Sequence, residues 1–170
     1  SIDYLKLAPI NNMKRRKVVF ICSGNTCRSP MAEAIFRAEI KRRKIKFVDA
    51  ASAGLFAENS ECISEKSAVC LKERGIDFSK FHPRQLKHKM MESSYLVVCM
   101  TRAQSELLEG AFENVYSMGD IAGFDIPDPY GQDIEAYRKT ARLIEIAVNK
   151  IIERFFAGDE TPKNIKNSEL

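Results

Sequence analysis

The order of strand-like and helix-like segments is the feature that most restricts the fold of this chain. The apolar run KVVFI at residues 17–21 leads through a nine-residue loop, CSGNTCRSP, into a helical pattern that follows Pro30. A run that is apolar on both sides suits a strand in a sheet covered on both faces. In such a sheet the loops after parallel strands meet at one edge, where ligands bind. We therefore expect the loop at residues 22–30 at a ligand-binding edge.

The rest of the chain continues this alternation. We predict strands over 17–21, 46–51, 94–100 and 114–118, and helices from Pro30, over 64–75, over 102–109 and from Ile134 to Phe155. Ser29 is expected to cap the first helix, with Pro30 in its first position. Gly75 is expected to end the second helix. This order predicts an α/β fold in which a parallel sheet carries helices on both faces.

The length of 170 residues suits a single domain, which we place at residues 13–158. Residues 1–12, before Met13, are expected to be a leader or a disordered N-terminus, and residues 159–170 a polar tail. No apolar stretch reaches the roughly 20 residues of a membrane span. The five cysteines form no CxxC pair and suit a reducing compartment. We expect a cytoplasmic protein with no membrane partner.

The charge distribution gives little support to a nucleic-acid partner. The 27 basic and 23 acidic residues are scattered, and the net charge is +4. Two KRRK runs, at residues 14–17 and 41–44, flank a predicted strand and end a predicted helix. We interpret both as solvated flanks and expect a monomer that binds no nucleic acid.

The loop CSGNTCRSP has the properties of an anion site. A turn from a strand into a helix N-terminus gathers backbone N–H groups, and the helix dipole adds positive potential. The loop lacks the Gly-Lys-Ser/Thr of nucleotide-binding P-loops and instead carries Cys22 and, six residues later, Arg28. A guanidinium can hold two phosphate oxygens, and these surroundings favour the Cys22 thiolate, to which Ser29 can donate a hydrogen bond. We expect Cys22 to attack phosphorus while Arg28 binds the phosphoryl oxygens.

A reaction through phosphocysteine also needs an acid for the leaving group and a base for water. The segment DIPDPYG at residues 125–131 offers Asp125 and Asp128 in a proline-containing loop before the last helix. One carboxyl group can serve both steps in turn. The residues alone do not choose between the two aspartates.

Three motifs together resemble the low-molecular-weight protein tyrosine phosphatase family. They are CSGNTCRSP, SAG at 52–54 and DPYG at 128–131, which stand in that family's order and spacing. The resemblance runs from about Lys17 to Phe156. It implies a three-layer fold with a four-stranded parallel sheet and helices on both faces. It also implies hydrolysis of phosphorylated proteins through a phosphocysteine, with phosphate or similar oxyanions bound in the loop.

The resemblance assigns roles to individual residues. It implies Cys22 as nucleophile, Arg28 as phosphate clamp and Asp128 as general acid and then base. Asn25 would hold the strained loop backbone, and Cys27 would be the second loop cysteine that forms a protective disulfide with an oxidised nucleophile. No metal or cofactor is implied, because the loop and its arginine supply the positive charge. The other substrate-binding candidates are Ser23, Gly24, Thr26, Ser29 and Tyr130.

Thr26 and Tyr130 give opposite indications about the substrate. Tyrosine-specific members usually carry isoleucine where this chain has Thr26, whereas the bacterial protein arginine phosphatases of the family resemble this chain here and at SAGLFA, residues 52–57. Tyr130 instead resembles the tyrosine-directed members. A methyl-sized change in a pocket is worth about 1–3 kcal/mol of discrimination. Because Thr26 is expected nearer the scissile group, we predict a phosphoarginine phosphatase, with a phosphotyrosine phosphatase as the alternative.

Two functions outside these phosphatases fit the sequence less well. A thiol-dependent arsenate reductase needs two downstream cysteines, whereas Cys99 lies in a predicted strand without a partner just beyond it. A module that only binds phosphorylated partners would not need the three catalytic residue types together. The sequence therefore favours a hydrolytic enzyme.

Overall fold

The computed structural model describes residues 15–108, 110 and 112–159. Its strands form one parallel sheet in the order β2-β1-β3-β4. The strands are β1 (Arg16–Cys22), β2 (Val48–Gly54), β3 (Leu96–Cys99) and β4 (Val115–Ser117). The expected four-stranded α/β fold is confirmed. Because all strands run in the same direction, the loops that follow them lie at one edge of the sheet.

Helices connect the strands and cover both faces of the sheet. They are α1 (Arg28–Arg42), α2 (Glu65–Glu73), α3 (His88–Glu92), α4 (Arg102–Glu106), α5 (Met118–Ala122) and α6 (Ile134–Phe156). A short 3-10 turn follows α6 at Ala157–Asp159. Among the residues that the structure describes, no helix is both long enough and apolar enough to cross a membrane.

Strand β1 lies at the centre of the core because its side chains alternate between the two faces. Phe20 packs on the side of α1 and α6, where its ring meets Phe36 edge-on with centroids 5.5 Å apart. Phe36 in turn meets Phe156 at 6.0 Å. Ile21 packs on the opposite face, in a smaller cluster that includes Met91 of α3. Both faces of β1 are therefore buried, as its uniformly apolar sequence predicts.

The structure corrects the predicted start of the first helix. Helix α1 begins at Arg28, and its N-cap residue is Cys27, whose side chain makes no capping hydrogen bond. Ser29, predicted as the cap, lies inside the first turn, and so does Pro30. The Ser29 hydroxyl bonds instead to the Cys22 sulfur and the Asn25 amide. The prediction was wrong because it considered only local capping and not the partners that the folded loop brings to this hydroxyl.

The boundaries of other predicted elements also shift: β3 is Leu96–Cys99 rather than 94–100, and β4 is Val115–Ser117 rather than 114–118. Strand β2 begins at Val48 rather than residue 46, because Phe47 has a φ of 61° and cannot continue the strand ladder. Helix α4 ends at Glu106, earlier than predicted. The predicted end of the second helix is confirmed, since Gly75 adopts a φ of 71° directly after the C-cap residue Arg74.

Two short helices were missing from the sequence prediction. Helix α3 is one turn long and has no capping side chain. Helix α5 begins with a capping box in which Ser117 and Asp120 each accept a hydrogen bond from the other's backbone N–H. The spacing of Ser117 and Asp120 was the available signal for α5.

The predicted polar tail starts inside the folded part of the chain. Asp159 lies in the 3-10 turn, and its carboxylate accepts a hydrogen bond of 2.6 Å from Arg16. The guanidinium of Arg16 also lies over the rings of Tyr95 and Phe156. The rest of the tail, and the predicted leader at residues 1–12, lie outside the described residues.

We predict a pH-dependent contribution to stability from Glu39. Hydrogen bonds from Arg42 and Arg43 lower its pKa from 4.5 to about 2. The charged carboxylate therefore stabilises the fold above pH 4.5, and this contribution is lost as the pH falls towards 2. Glu39→Gln should lower the free energy of unfolding by about 1 kcal/mol at pH 7 and change it little near pH 2, in urea titrations. Glu153→Gln, on the exposed side of α6, is the matched control. An equal loss at both pH values would contradict the prediction.

Candidate active site

The loop between β1 and α1 turns its carbonyl groups outward. Carbonyl oxygens of four loop residues accept hydrogen bonds from the segment that follows β2. The pairs are Ser23 with the Phe56 amide (2.8 Å), Gly24 with the Ser60 hydroxyl (2.7 Å), Thr26 with the Ser64 amide (2.9 Å) and Cys27 with the Ser67 hydroxyl (3.3 Å). Because C=O and N–H of a trans peptide point in opposite directions, the N–H groups of these peptides face the inside of the loop. The loop interior is therefore lined with hydrogen-bond donors.

Gly54, the last residue of β2, allows the loop to pack directly against the sheet edge. A Cβ atom on Gly54 would lie 2.6 Å from the Ser23 carbonyl oxygen and 3.0 Å from the Asn25 nitrogen. Real Cβ atoms essentially never approach other atoms at 2.6 Å. The third residue of the SAG motif must therefore be glycine, since any side chain at position 54 would collide with the loop.

Asn25 holds the loop from its centre. It is fully buried and has a φ of 54°, a left-handed conformation that asparagine adopts more readily than most residues. Its side-chain amide donates to Ser29 Oγ at 2.8 Å and to Ser52 Oγ at 2.9 Å. Its side-chain oxygen accepts from the Arg84 backbone N–H at 2.9 Å. These three bonds fix the backbone conformation that the resemblance led us to expect at Asn25.

The hydrogen-bond network continues from Asn25 into the base of α1. Ser52 donates its hydroxyl proton to Glu33 Oε1 at 3.1 Å. Burial raises the pKa of Glu33, while Arg37 at 3.5 Å and the Ser52 hydroxyl act in the opposite direction. The sequence analysis missed Ser52 and Glu33, although Ser52 begins the SAG motif.

Cys22 ends β1 at the base of the loop, and its side chain is only 3% exposed. Its sulfur lies 2.9 Å from Ser29 Oγ. Since Ser29 Oγ already accepts a hydrogen bond from the Asn25 side-chain amide, its own hydroxyl group can donate a hydrogen bond to the sulfur. The first turn of α1 contains no acidic residue, so the helix N-terminus presents an unopposed positive potential to the loop. Cys22 therefore lies beside a hydroxyl donor and at the positive end of a helix.

Arg28 crosses from α1 to the loop that precedes α6. It is 5% exposed, and one of its terminal nitrogens donates to the Ile126 carbonyl at 3.0 Å. The other lies 3.6 Å from Asp128 Oδ2. The guanidinium is thus held at a defined position between the anion loop and an acidic side chain.

The structure separates the two aspartates that the sequence left as alternatives. Asp125 Oδ1 accepts a hydrogen bond from the Arg102 backbone N–H at 3.1 Å and lies against Gly119, away from the loop. Asp128 lies beside Arg28, and its side chain is 51% exposed, so it can exchange protons with water. Only Asp128 of the pair is therefore placed beside the anion loop.

The two residues that bear on substrate preference lie at different depths. Thr26 is half-buried, and its hydroxyl lies 3.7 Å from the Cys27 sulfur within the loop. Tyr130 is 79% exposed, and its backbone N–H donates to Asp128 Oδ1 at 3.1 Å. Thr26 is thus part of the loop surface, and the Tyr130 ring extends into solvent beyond the aspartate.

Neighbouring elements support two further loop residues. Gln104, in the capping box of α4, donates to Ser23 Oγ at 3.2 Å. Cys27 is a free thiol 3.4 Å from the Tyr137 hydroxyl. Burial, together with the bond to Cys27, raises the pKa of Tyr137 to about 12. Sequence analysis missed Gln104 and Tyr137; the capping box TRAQ directly after β3 was the available signal for Gln104.

The remaining thiol near the sheet edge is inaccessible. Cys99, at the end of β3, is fully buried, and burial raises its pKa to about 12. A buried neutral thiol is a poor candidate for passing a disulfide outward, as an arsenate reductase would require. Within the described part of the chain, no group of three His, Cys, Asp or Glu side chains is arranged to hold a metal ion.

A buried cysteine in a loop of inward N–H groups, with an arginine and an aspartate beside it, defines the site of a cysteine-dependent phosphatase. The sequence model of the family described as low molecular weight phosphotyrosine protein phosphatase matches residues 17–161. The chain belongs to this family and is a protein phosphatase.

Relatives of this chain carry both substrate preferences in their names. The protein-arginine-phosphatase of Geobacillus stearothermophilus is 30% identical over 145 residues, 81% of this chain and 95% of that protein. The low molecular weight protein-tyrosine-phosphatase PtpB of Staphylococcus epidermidis is 32% identical over 140 residues, 79% and 96% respectively. Among solved structures, the low molecular weight protein tyrosine phosphatase from T. tengcongensis superposes with a TM-score of 0.75. Its sequence is 35% identical to this chain, and the match covers 82% of this chain and 99% of that protein. The sequence identities to these relatives therefore do not show whether the substrate of this chain is phosphoarginine or phosphotyrosine.

Gly54→Ala should disrupt the loop. The added methyl group collides with the Ser23 carbonyl, and overpacking of this kind costs about 1–3 kcal/mol of unfolding free energy. A displacement of about 1 Å in a catalytic loop can lower the rate about 100-fold. We expect kcat on an aryl phosphate to fall at least tenfold. Gly158→Ala is the control, because a Cβ atom at Gly158 would meet nothing within 4 Å. Its free energy of unfolding and its kcat should both stay near the wild-type values. Wild-type kcat in Gly54→Ala would show that the loop does not depend on this contact.

Proposed function

We propose that this phosphatase hydrolyses phosphoarginine on proteins through a phosphocysteine intermediate. The observation that carries the proposal is Thr26, a small polar side chain in the loop surface where tyrosine-directed members usually have isoleucine. The phosphoguanidine group is planar and polar, and it retains hydrogen-bond donors beside the phosphoryl group. Thr26 leaves more room than isoleucine and adds a hydroxyl group at that position.

In the first step, the Cys22 thiolate attacks phosphorus and the P–N bond breaks. Loop N–H groups and Arg28 bind the three equatorial phosphoryl oxygens, where charge is concentrated in the transition state. Asp128 donates a proton to the departing guanidine nitrogen. The products are phosphocysteine and an arginine guanidinium, because the cationic phosphoguanidine leaves as a neutral guanidine that takes up the Asp128 proton. Ser23, Gly24, Asn25, Thr26, Cys27 and Ser29 form the cradle for the phosphoryl group.

In the second step, the Asp128 carboxylate accepts a proton from a water molecule that attacks phosphocysteine. The S–P bond breaks, inorganic phosphate leaves, and Cys22 returns to the thiolate. The hydrogen bond available from Ser29 stabilises that thiolate as a leaving group. The half-exposed position of Asp128 supports both proton transfers. Cys27 would protect an oxidised Cys22 by forming a disulfide with it.

Phosphotyrosine is the second candidate substrate, and Tyr130 is the observation that favours it. Its exposed ring stands next to Asp128 and could pack against a substrate phenol ring. Phosphoarginine also suits this side of the site, because the Asp128 carboxyl group can accept a hydrogen bond from the guanidinium and donate its own proton to the leaving nitrogen. We rank phosphoarginine first because Thr26 lies in the loop surface itself, whereas the Tyr130 ring is largely in solvent.

Thr26→Ile tests the proposed preference. On two peptides that differ only in phosphoarginine versus phosphotyrosine, wild type should prefer phosphoarginine by at least about tenfold in kcat/KM. Isoleucine adds bulk and removes the hydroxyl, so the preference should fall by about 10- to 200-fold and can reverse. Thr26→Ser, which keeps the hydroxyl, should retain the preference, and Thr26→Val separates the hydroxyl from the bulk. A wild type that prefers phosphotyrosine, with little change in Thr26→Ile, would overturn the proposal.

Asp128→Asn tests the proposed acid and base. Removal of a general acid costs about 10²- to 10⁴-fold in rate, so kcat on either peptide should fall by at least 100-fold. Asp125→Asn is the matched control in the same loop, and it should leave kcat nearly unchanged because Asp125 bonds to the α4 backbone instead. Equal losses in the two variants would contradict the assignment of Asp128.

A further inference from the structure

A second concave surface lies on the side of the molecule, away from the anion loop. It is a groove of about 1080 Å³ between α1 and the segment 75–84, here called the α1 groove. Small residues create the space, since Ala34 and Ala38 lie one turn apart on α1 opposite Gly75. Ala34 is about 9 Å along the helix axis from the start of α1, and Arg42, which also lines the groove, is about 21 Å. The α1 groove therefore contains none of the residues of the anion loop, and it meets the network that holds Asn25 only at Glu33 and Arg84.

The charges along the α1 groove favour an anion. Lys41 contributes from α1 and Lys80 from the opposite wall, and neither forms an ion pair within the residues that the structure describes. Arg37, Arg42 and Arg84 also line the groove; Arg37 pairs with Asp49 and Arg42 with Glu39. The two acidic groups lining it face cations of the same groove. Glu33 lies 3.5 Å from Arg37, and the pKa of Asp77 is lowered by hydrogen bonds from Ser79 and, to a smaller extent, by the charge of Lys80. The positive charges thus exceed the acidic groups that could balance them.

An aromatic pair lines the same groove. Phe78 and Phe81 stack with their centroids 4.9 Å apart and their planes 15° apart, and both rings are half-buried. Half-buried rings offer a surface on which a further flat group can pack. The two rings lie on the same segment as Lys80, so an apolar surface and a cation occur side by side.

We propose that the α1 groove is a second binding site, for a small organic anion that carries a flat ring, such as a nucleoside phosphate. The ring packs against Phe78 and Phe81, and the phosphate groups lie between Lys41 and Lys80. The volume is of the size that holds a ligand of this kind. This site is independent of whether the enzyme prefers phosphoarginine or phosphotyrosine, because it uses none of the loop residues.

The test is calorimetric titration of the full chain with ATP while the anion loop is filled with a non-hydrolysable arylphosphonate. Occupancy of the loop is verified by complete inhibition of hydrolysis. ATP should bind once per chain, whereas tripolyphosphate, which lacks the ring, and adenosine, which lacks the charge, should each bind at least tenfold more weakly. Amide NMR shifts should change at residues 78–84 and in α1.

Charge-reversal variants locate the site. Lys41→Glu with Lys80→Glu should weaken ATP binding at least tenfold and leave kcat/KM for phosphopeptides unchanged. Lys139→Glu with Arg142→Glu makes the same change in net charge on the exposed face of α6 and should leave ATP binding intact. Phe81→Ala should weaken ATP binding but not tripolyphosphate binding.

Three results would overturn the proposal. They are no ATP binding once the loop is filled, equal weakening by the two charge-reversal pairs, and equal affinity for ATP and tripolyphosphate. The last two would indicate general attraction of polyanions to a basic surface. None of these results depends on the identity of the phosphorylated residue, so failure here and failure of the proposed substrate preference are separate outcomes.

Discussion

The strained backbone at Asn25 is the constraint on which the active site depends. A left-handed residue in the middle of the loop is stable only when its surroundings hold it, and Asn25 has partners in α1, in β2 and in the segment that carries Arg84. Gly54 completes this arrangement by letting the sheet edge approach the loop without a side chain. Together these contacts keep the loop N–H groups pointed at one place before any phosphate arrives, which is the preorganisation that phosphoryl transfer needs.

The second part of the site comes from a different loop. Arg28 belongs to α1, but it bonds to the Ile126 carbonyl and approaches Asp128, so the guanidinium links the anion loop to the segment before α6. Cys22, the proposed nucleophile, is buried, while Asp128, the proposed acid, is half-exposed. This division suits two consecutive steps, because the phosphoryl group must stay fixed while a leaving group departs and water enters on the Asp128 side.

Differences between prediction and structure occur where local rules compete with tertiary contacts. The sequence Ser29-Pro30 has the local pattern of a helix start, but α1 begins earlier and the Ser29 hydroxyl serves Cys22 and Asn25. Residues 46–51 were predicted as one strand, but Phe47 has a positive φ, so the strand begins only at Val48. Ser52 and Glu33 belong to the site through contacts between residues far apart in the chain, which no local pattern displays.

The sequence by itself determined the alternation of strands and helices, the anion loop with Cys22 and Arg28, and a nearby acidic loop. These features follow from hydrophobic periodicity and from residue chemistry within one short segment, so they can be predicted without long-range information. The residues alone left Asp125 and Asp128 open, and only the resemblance pointed to Asp128. The tertiary structure places Asp128 beside Arg28, because the backbone of Arg102 and the Gly119 surface hold Asp125 elsewhere. It also decided that Ala34, Lys41, Phe78 and Lys80 line one groove, since α1 and the segment 75–84 are far apart in the chain and meet only in the folded protein.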